Sequence, residues 1–194
     1  MKRLFDIVFS LLGLVFLTPI WLLIVVLMLL TSKGPIIYKQ VRVGKNNKDF
    51  KIFKFRTMHV NADKMGLLSV GDRDPRITQI GYYLRKFKLD ELPQFANVLK
   101  GDMSFVGPRP EVRKYVNFYN QDQMQVFKAR PGITDLASIA FRNESELLAN
   151  QEDPDSFYIN VIMPKKLQIN LDYLKERTLI KDIGVIFKTF LAII

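Results

Sequence analysis

The chain has 194 residues and a formal net charge of +10, from 29 Lys and Arg against 19 Asp and Glu. That length suits one catalytic domain plus an anchor, and the basic balance suits a nucleic acid, an anionic membrane face or a diphosphate substrate. The chain has no cysteine, which excludes disulfides and thiolate zinc sites, and a Ser-His-Asp triad would have to use the single histidine, His59.

Lys2 and Arg3 precede an uncharged run from Ile7 to Leu30. As one straight helix this run would be roughly 36 Å long at ~1.5 Å per residue, enough to cross a bilayer core. It is long for a signal peptide and ends at Thr31-Ser32-Lys33-Gly34-Pro35 without a small-x-small cleavage site. Thr18-Pro19 interrupts it. Proline removes a helix hydrogen bond and clashes with the previous turn, so a bend is expected there. Each arm, of about 12 residues, reaches roughly 18 Å, or one leaflet. Basic residues flank both ends, so they do not set an orientation. The residues allow two arrangements: a spanning helix with a kink, or a re-entrant helix-break-helix.

Ile36 to Val43 and Phe50 to Met58 read as two strands around the turn Gly44 to Lys48. Alternation puts Lys54 and Arg56 on one face of the second strand and Phe53 and Phe55 on the other. Asn61 to Gly71 reads as a mobile loop. Asp74-Pro75 marks a turn, and Thr78 can cap a helix running to Lys88, with Leu84 and Phe87 towards the core.

Lys88 to Pro110, KLDELPQFANVLKGDMSFVGPRP, organises the chain. Leu92, Phe95, Ala96 and Leu99 predict a short helix that Gly101 stops. Asp90 and Glu91 then sit at its start, where free N–H groups favour negative charge, and Pro93 is tolerated in the first turn. Gly107-Pro108-Arg109-Pro110 is a stiff turn holding a guanidinium. Paired carboxylates and a fixed arginine suit phosphate chemistry, though a capped helix and a proline-rich turn would read the same way.

Glu111 to Lys128 reads as a helix with Tyr115, Phe118, Tyr119, Val126 and Phe127 on its apolar face. Arg130 to Thr134 is a second stiff turn, and Gln151 to Ser156 a polar loop. Met163-Pro164 opens a helix with Leu167, Leu171 and Leu174 on one face. In the tail, Leu179, Ile183, Ile186, Phe187, Phe190 and Ile194 recur at helical spacing, which suits a core or partner-facing helix, or an interfacial helix with its apolar side in the acyl boundary and lysines among headgroups. Neither a Walker A nor a Rossmann pattern occurs.

LDELPQFANVLKGDMSFVGPRP, with FKFRTM (Phe53 to Met58), DPRIT (Asp74 to Thr78) and RPGIT (Arg130 to Thr134) in order, closely resembles the signature of bacterial sugar transferases, the monotopic phosphoglycosyl transferases. The resemblance covers nearly the whole chain. It implies an α/β fold: a compact membrane-associated catalytic domain, residues 34–194, with interfacial amphipathic helices and a re-entrant anchor, residues 1–33. That family carries its membrane bend at a Ser-Pro pair, here Thr18-Pro19. Thr18 can bond a carbonyl freed at the bend.

The resemblance also implies a reaction. Asp90 attacks the sugar-linked phosphate of a UDP-sugar, UMP leaves, and polyprenyl (undecaprenyl) phosphate takes the phosphosugar. Asp90 and Glu91 would hold Mg2+. Lys54, favoured over Arg56, would hold phosphate oxygens with Arg85 and Arg109, and Arg130 would be a further anion contact; Arg142, read from its own surroundings in the chain, is a second anion contact or a salt-bridge partner of nearby acids. The partners implied are a UDP-sugar, polyprenyl phosphate and membrane lipid, with no nucleic acid, at the cytoplasmic face of a bacterial inner membrane. The family often continues RPGIT with Gly-Trp-Ala-Gln, whereas this chain has Asp135-Leu136-Ala137-Ser138, which leaves the sugar open, as the pathway and oligomeric state are. The alternative, a membrane-anchored nucleic-acid-binding or non-catalytic assembly subunit, leaves Asp90-Glu91 unexplained.

Overall fold

The computed structural model describes residues 1–66, 68 and 74–193. Helices α1 (Lys2–Phe16) and α2 (Thr18–Thr31) meet at a 56° bend. Pro19 lies in the first turn of α2, where a missing N–H leaves no bond unmade. Thr18 Oγ1 donates to Leu14 O at 2.8 Å, taking up a carbonyl that the break frees, as expected. Among the described residues no single helix is long and apolar enough to cross a membrane. The bent pair together has the length and composition.

The hairpin that follows pairs β1 (Ile37–Val43) with β2 (Asp49–Phe55), Ile37 opposite Phe55 and Val43 opposite Asp49. Asn46 and Asn47 take left-handed backbone in its turn (φ 58 for both), which asparagine tolerates. The second strand stops at Phe55, short of the expected Met58. Phe55 fills the core with Ile24, Met28 and Leu84. The predicted shared basic face of Lys54 and Arg56 is therefore not formed. Arg56 lies beyond the strand end, buried, and donates to Pro35 O (2.8 Å) and Ser32 Oγ (3.0 Å) where α2 leaves off.

Helix α3 (Gln79–Lys86) is capped as predicted, Thr78 Oγ1 accepting from Gly81 N at 3.0 Å. Leu84 is buried, but Phe87 is exposed, because the helix ends at Lys86 and Lys88 turns the chain left-handed (φ 56). Within the expected loop from Asn61 to Gly71, Ala62–Met65 forms a 3-10 turn; residues 67 and 69–71 lie outside the described residues. Helix α4 (Gln94–Lys100) ends at Gly101, whose φ of 100° suits glycine.

Strand β3 (Ser104–Val106) runs parallel to β4 (Gly132–Thr134). Between them the expected helix from Glu111 to Lys128 is broken. Only α5 (Arg113–Val116) is α-helical, and Gln123–Lys128 is a 3-10 turn. The cause is a reciprocal cap: Asn120 Oδ1 accepts from Gln123 N and Gln123 Oε1 from Asn120 N, both at 2.9 Å. Tyr115 and Val126 still reach the core, while Phe118 is exposed.

The rest is helical: α6 (Leu136–Ala140), α7 (Glu144–Ala149), α8 (Pro154–Phe157), a π turn at Tyr158–Ile162, α9 (Met163–Lys175) and α10 (Leu179–Ile193). Helix α8 starts inside the stretch read as a loop, because Asp153 caps it through Ser156 N at 3.1 Å. Leu167 of α9 joins Val112, Tyr115, Leu148 and Ile162 in the largest core cluster. Helix α10 buries Asp182 and Val185 and exposes Ile180, Ile183, Phe187, Phe190 and Leu191. The chain is mixed α/β with two two-stranded sheets among the described residues, and no doubly wound sheet.

Both ends of the bent pair are held by the rest of the fold. Arg3 donates to Val98 O and Leu99 O at the end of α4 (2.6 and 2.8 Å), Lys2 donates to Val106 O and pairs with Asp182, and Asp6 accepts from Ser104 Oγ and Phe105 N. At the other end Arg56 holds Ser32. Leu11, Val15, Phe16, Leu22, Leu23 and Leu30, near the bend and along both arms, face outwards.

Candidate active site

The left-handed Lys88 turns the chain out of α3 into a 3-10 turn, Leu89–Glu91, which runs through Pro93 into α4. This turn buries Asp90 and Glu91, 6 % and 7 % exposed. Asn97 of α4, fully buried, reaches the edge of β2. Its Oδ1 accepts from Phe53 N at 2.9 Å and its Nδ2 donates to Lys51 O at 2.8 Å. One amide thus locks helix to strand and sets Lys54 against the carboxylate pair: Lys54 Nζ lies 2.8 Å from Glu91 Oε1 and 3.8 Å from Asp90 Oδ2.

Arg109 arrives from the other side. Pro108 and Pro110 fix the backbone around it, and the two predicted stiff turns prove to be neighbours. Gly107 N donates to Thr134 O (3.2 Å) and Gly132 N to Pro108 O (3.1 Å). The approach is so close that a Cβ on Gly132 would lie 2.2 Å from Gly107 N. From this braced turn the Arg109 fork reaches Glu91, Nη2 to Oε1 at 2.5 Å and Nη1 to Oε2 at 3.5 Å.

The adjacent carboxylates are driven apart electrostatically. Burial pushes the Asp90 carboxyl above its ordinary range, and the Glu91 charge adds to this; Lys54, Arg85 and Lys88 pull the other way without cancelling it. Burial also raises Glu91, but Arg109 and Lys54 overcome it and hold Glu91 well below the usual carboxylate range. The Glu91 charge in turn holds Arg109 protonated beyond the ordinary arginine range. Glu91 is therefore the paired counter-ion of Lys54 and Arg109. Asp90 is a desolvated carboxylate with the Lys54 ammonium 3.8 Å away.

Of the residues singled out in the sequence, Lys54, Arg85 and Arg109 converge on Asp90-Glu91 by contact or charge. Arg130 does not join them here: its Nε donates to Gly101 O at 2.8 Å, and it lines a separate recess. Arg142 is exposed in the turn before α7, and His59 is exposed beyond β2. Sequence reasoning passed over three participants. Lys88 adds positive field from the rim, and Asn97 sets the β2 edge. Asp135, fully buried, caps α6 through Ser138 N and Oγ (both 2.8 Å) and adds to the field on Arg109. The departure at Asp135 to Ser138 is thus a self-capping helix start. Asn97 carried no readable signal, because it lies away from the side of the short helix that Leu92, Phe95, Ala96 and Leu99 mark as apolar, and the face that is buried is Gln94, Asn97 and Val98.

A buried carboxylate, beside a second one locked to two cations, is a donor set that suits phosphate chemistry. The chain belongs to the bacterial sugar transferase family, whose profile matches residues 1–194. It is 37% identical over 196 residues to the UDP-N-acetylgalactosamine-undecaprenyl-phosphate N-acetylgalactosaminephosphotransferase of Aeromonas hydrophila, covering 100% of this chain and 43% of that protein. It is 39% identical over 192 residues to the UDP-glucose:undecaprenyl-phosphate glucose-1-phosphate transferase of Klebsiella pneumoniae, covering 97% and 39%. It is 33% identical over 208 residues to the exopolysaccharide production protein ExoY of Sinorhizobium fredii, covering 99% and 84%. The chain thus spans about two fifths of the length of the first two and most of the third.

Proposed function

We propose that the chain is a phosphoglycosyl transferase that moves a sugar 1-phosphate from a UDP-sugar to a polyprenyl phosphate, giving polyprenyl diphosphate sugar and UMP. The observation that carries this is the geometry of the pair: Asp90 is buried with the Lys54 ammonium 3.8 Å away, beside a Glu91 that Lys54 and Arg109 both hold. The named activities of the Aeromonas and Klebsiella relatives support the substrate classes. An Asp90 oxygen attacks the sugar-linked phosphorus, and the bond to the bridging oxygen breaks. UMP leaves with that oxygen and its electron pair. A polyprenyl phosphate oxygen then attacks the same phosphorus and frees the Asp90 carboxylate. Poor solvation keeps Asp90 reactive once ionised, and covalent catalysis lets a soluble donor and a lipid acceptor use one site in turn. Lys54, Arg85 and Arg109 bind and orient the phosphate oxygens. Arg130 and Arg142 are left outside this set. The direct test is a panel of UDP-sugars with full-length protein and polyprenyl phosphate, read as UMP; absence of UMP with every donor, in protein that is folded, rejects the assignment.

Magnesium takes oxygen ligands and is held through one or two carboxylates plus substrate phosphates. Asp90 and Glu91 fit that pattern, and no cluster of three acids or histidines occurs among the described residues. Four cations, Lys54, Arg85, Lys88 and Arg109, outnumber these two carboxylates, so the site repels a bare dication and accepts one that comes with a diphosphate. Asp90 and Glu91 would then hold it, and it would neutralise phosphate charge. A titration of Mg2+ into the protein alone is expected to show no saturable binding below millimolar, whereas a UDP-sugar phosphonate analogue binds more tightly when Mg2+ is added. Tight binding by the bare protein would put the metal elsewhere.

The bent pair is read as a re-entrant anchor, with the catalytic domain on the cytoplasmic face of a bacterial inner membrane. The contacts of Lys2, Arg3 and Asp6 at one end, and of Ser32 at the other, with the same domain support this. The exposed apolar stripe of α10 would lie in the acyl boundary. Single cysteines introduced beside Met1 and at Lys33 should both react with an impermeant reagent from the cytoplasmic side only. Labelling from opposite sides would mean a spanning helix. Pro19→Leu should move the population towards spanning, against the pull of the Lys2, Arg3 and Asp6 contacts.

A further inference from the structure

A second charged site lies away from Asp90. Lys2, Arg3, Lys45, Lys128, Arg130 and Arg177 line one recess of about 220 Å³. A water occupies about 30 Å³ of liquid, so this is room for several waters or one phosphate headgroup. One carboxylate, Asp6, also lines it, and Asp182 stands behind Lys2. Six cations against two carboxylates leave four positive charges uncompensated.

The pairing sharpens this excess. Asp6 accepts from Ser104 Oγ and Phe105 N, and Asp182 serves Lys2 and Tyr173. Arg3 and Arg130 donate to the backbone carbonyls of Val98, Leu99 and Gly101, which orient the guanidinium groups without cancelling charge. Lys45, Lys128 and Arg177 make no ion pair among the described residues. Burial and the Arg177 charge pull Lys2 below the usual lysine range, against the opposing effect of Asp182. Cations crowded in this way call for an anion, and the residues come from parts of the chain far apart in sequence.

The surroundings identify the anion's source. Lys2 and Arg3 begin α1, which exposes Leu4 and Val8 within the next two turns; Arg177 lies two residues before the start of α10, which exposes Ile180 and Ile183. The recess therefore sits where two outward apolar faces start, and polar phosphate chemistry gives way to hydrocarbon chemistry over a few ångströms. A soluble phosphate would use the first and leave the second idle.

We propose that this recess binds the phosphate headgroup of an acidic phospholipid, whose acyl chains lie against α1 and α10. The proposal rests on the membrane reading above and is separate from the chemistry at Asp90, with which the recess shares no residue. A lipid held here joins α1 to α10 from outside, as the Lys2–Asp182 pair joins them from within, and so fixes the depth of the domain at the bilayer surface.

The test uses full-length protein in neutral detergent with equimolar phosphatidylglycerol and phosphatidylcholine, read by native mass spectrometry. Wild type should retain phosphatidylglycerol in at least about fivefold preference, and the triple variant Lys45→Gln, Lys128→Gln, Arg177→Gln should bind it roughly tenfold more weakly or worse, since each basic residue near an anionic surface adds appreciably to binding. UMP release from a UDP-sugar should be unchanged in that variant, which separates this site from the catalytic assignment. If its melting temperature falls, the double variant of Lys45 and Lys128, both exposed, replaces it, with about a fivefold loss expected. Equal retention of the two lipids, or undiminished phosphatidylglycerol on the variants, overturns the proposal. Glycerol 3-phosphate is added as competitor in a second arm. Displacement of phosphatidylglycerol at equal concentration would make the site one for a soluble phosphate and overturn the lipid assignment.

Discussion

Asp90→Asn should give a protein that makes no covalent phosphosugar adduct and releases no UMP, yet is at least as stable as the wild type. The two halves have one cause. Burial raises the Asp90 carboxyl, so the folded protein disfavours the ionised form relative to the unfolded chain. The sign follows. Ionisation of Asp90 costs stability above its raised folded pKa, and that cost vanishes below the ordinary value of 3.8. Asparagine removes the charge, keeps nearly the same shape and leaves Lys54 its closer partner, Glu91 at 2.8 Å. The melting temperature at neutral pH should therefore hold or rise while activity disappears, the signature of a group kept for chemistry at the expense of stability. Wild type given UDP-sugar without acceptor should release at most about one UMP per site and then stall, as a two-step covalent route requires. Intact-protein mass spectrometry should place the phosphosugar on the peptide carrying Asp90. An adduct on Asp90→Asn would move the nucleophile elsewhere. No UMP from wild type without acceptor, with a donor proven in the complete reaction, would favour direct transfer and leave Asp90 as a metal ligand.

Much of this site could be read from the chain because its parts are local. Lys88 to Pro110 carries the carboxylates, the helix stop at Gly101 and the arginine within one short stretch, and short-range rules place each of them. The bend at Thr18-Pro19 was legible for the same reason. What the chain hid is non-local. Nothing in the alternation of β2 tells Lys54 from Arg56; the difference arises because the strand ends at Phe55 and Ser32 lies within reach of Arg56. Arg130 sits in a motif like that of Arg109, and the turns of both stack through Gly107 and Gly132, yet the two guanidinium groups point to different sites. The broken helix after Glu111 turned on a side-chain cap between Asn120 and Gln123, which competes with an apolar spacing that otherwise favours a continuous helix.

Glu91 and Arg109 should behave in the opposite way to Asp90. The Glu91 carboxyl is held low, so its ionised form is favoured in the folded state. Its contribution is present above the ordinary glutamate value of 4.5 and lost as pH falls through the depressed folded pKa. Arg109→Met leaves this buried charge with Lys54 alone. Breaking a fully buried pair costs about 3–5 kcal/mol; with 36% of the Arg109 side chain exposed to screening water, a loss on the order of 2 kcal/mol is expected. Adding Glu91→Gln should recover most of that stability, because the orphaned charge is gone, and the cycle should show strong coupling between the two positions. Activity should not recover, since the recovered protein still lacks the guanidinium proposed to meet substrate phosphate. Arg109→Lys separates charge from shape. It can still neutralise Glu91, so the melting temperature should change little. It cannot present two parallel N–H donors from a turn braced by Pro108 and Pro110, so kcat should fall by about 10²-fold. If Arg109→Lys turns over near the wild-type rate, the fork has no part in catalysis and Arg109 is only the counter-ion of Glu91. If the Arg109→Met and Glu91→Gln double variant is no more stable than Arg109→Met alone, the ion pair is not what holds this turn, and the stacked glycines at 107 and 132 carry it instead.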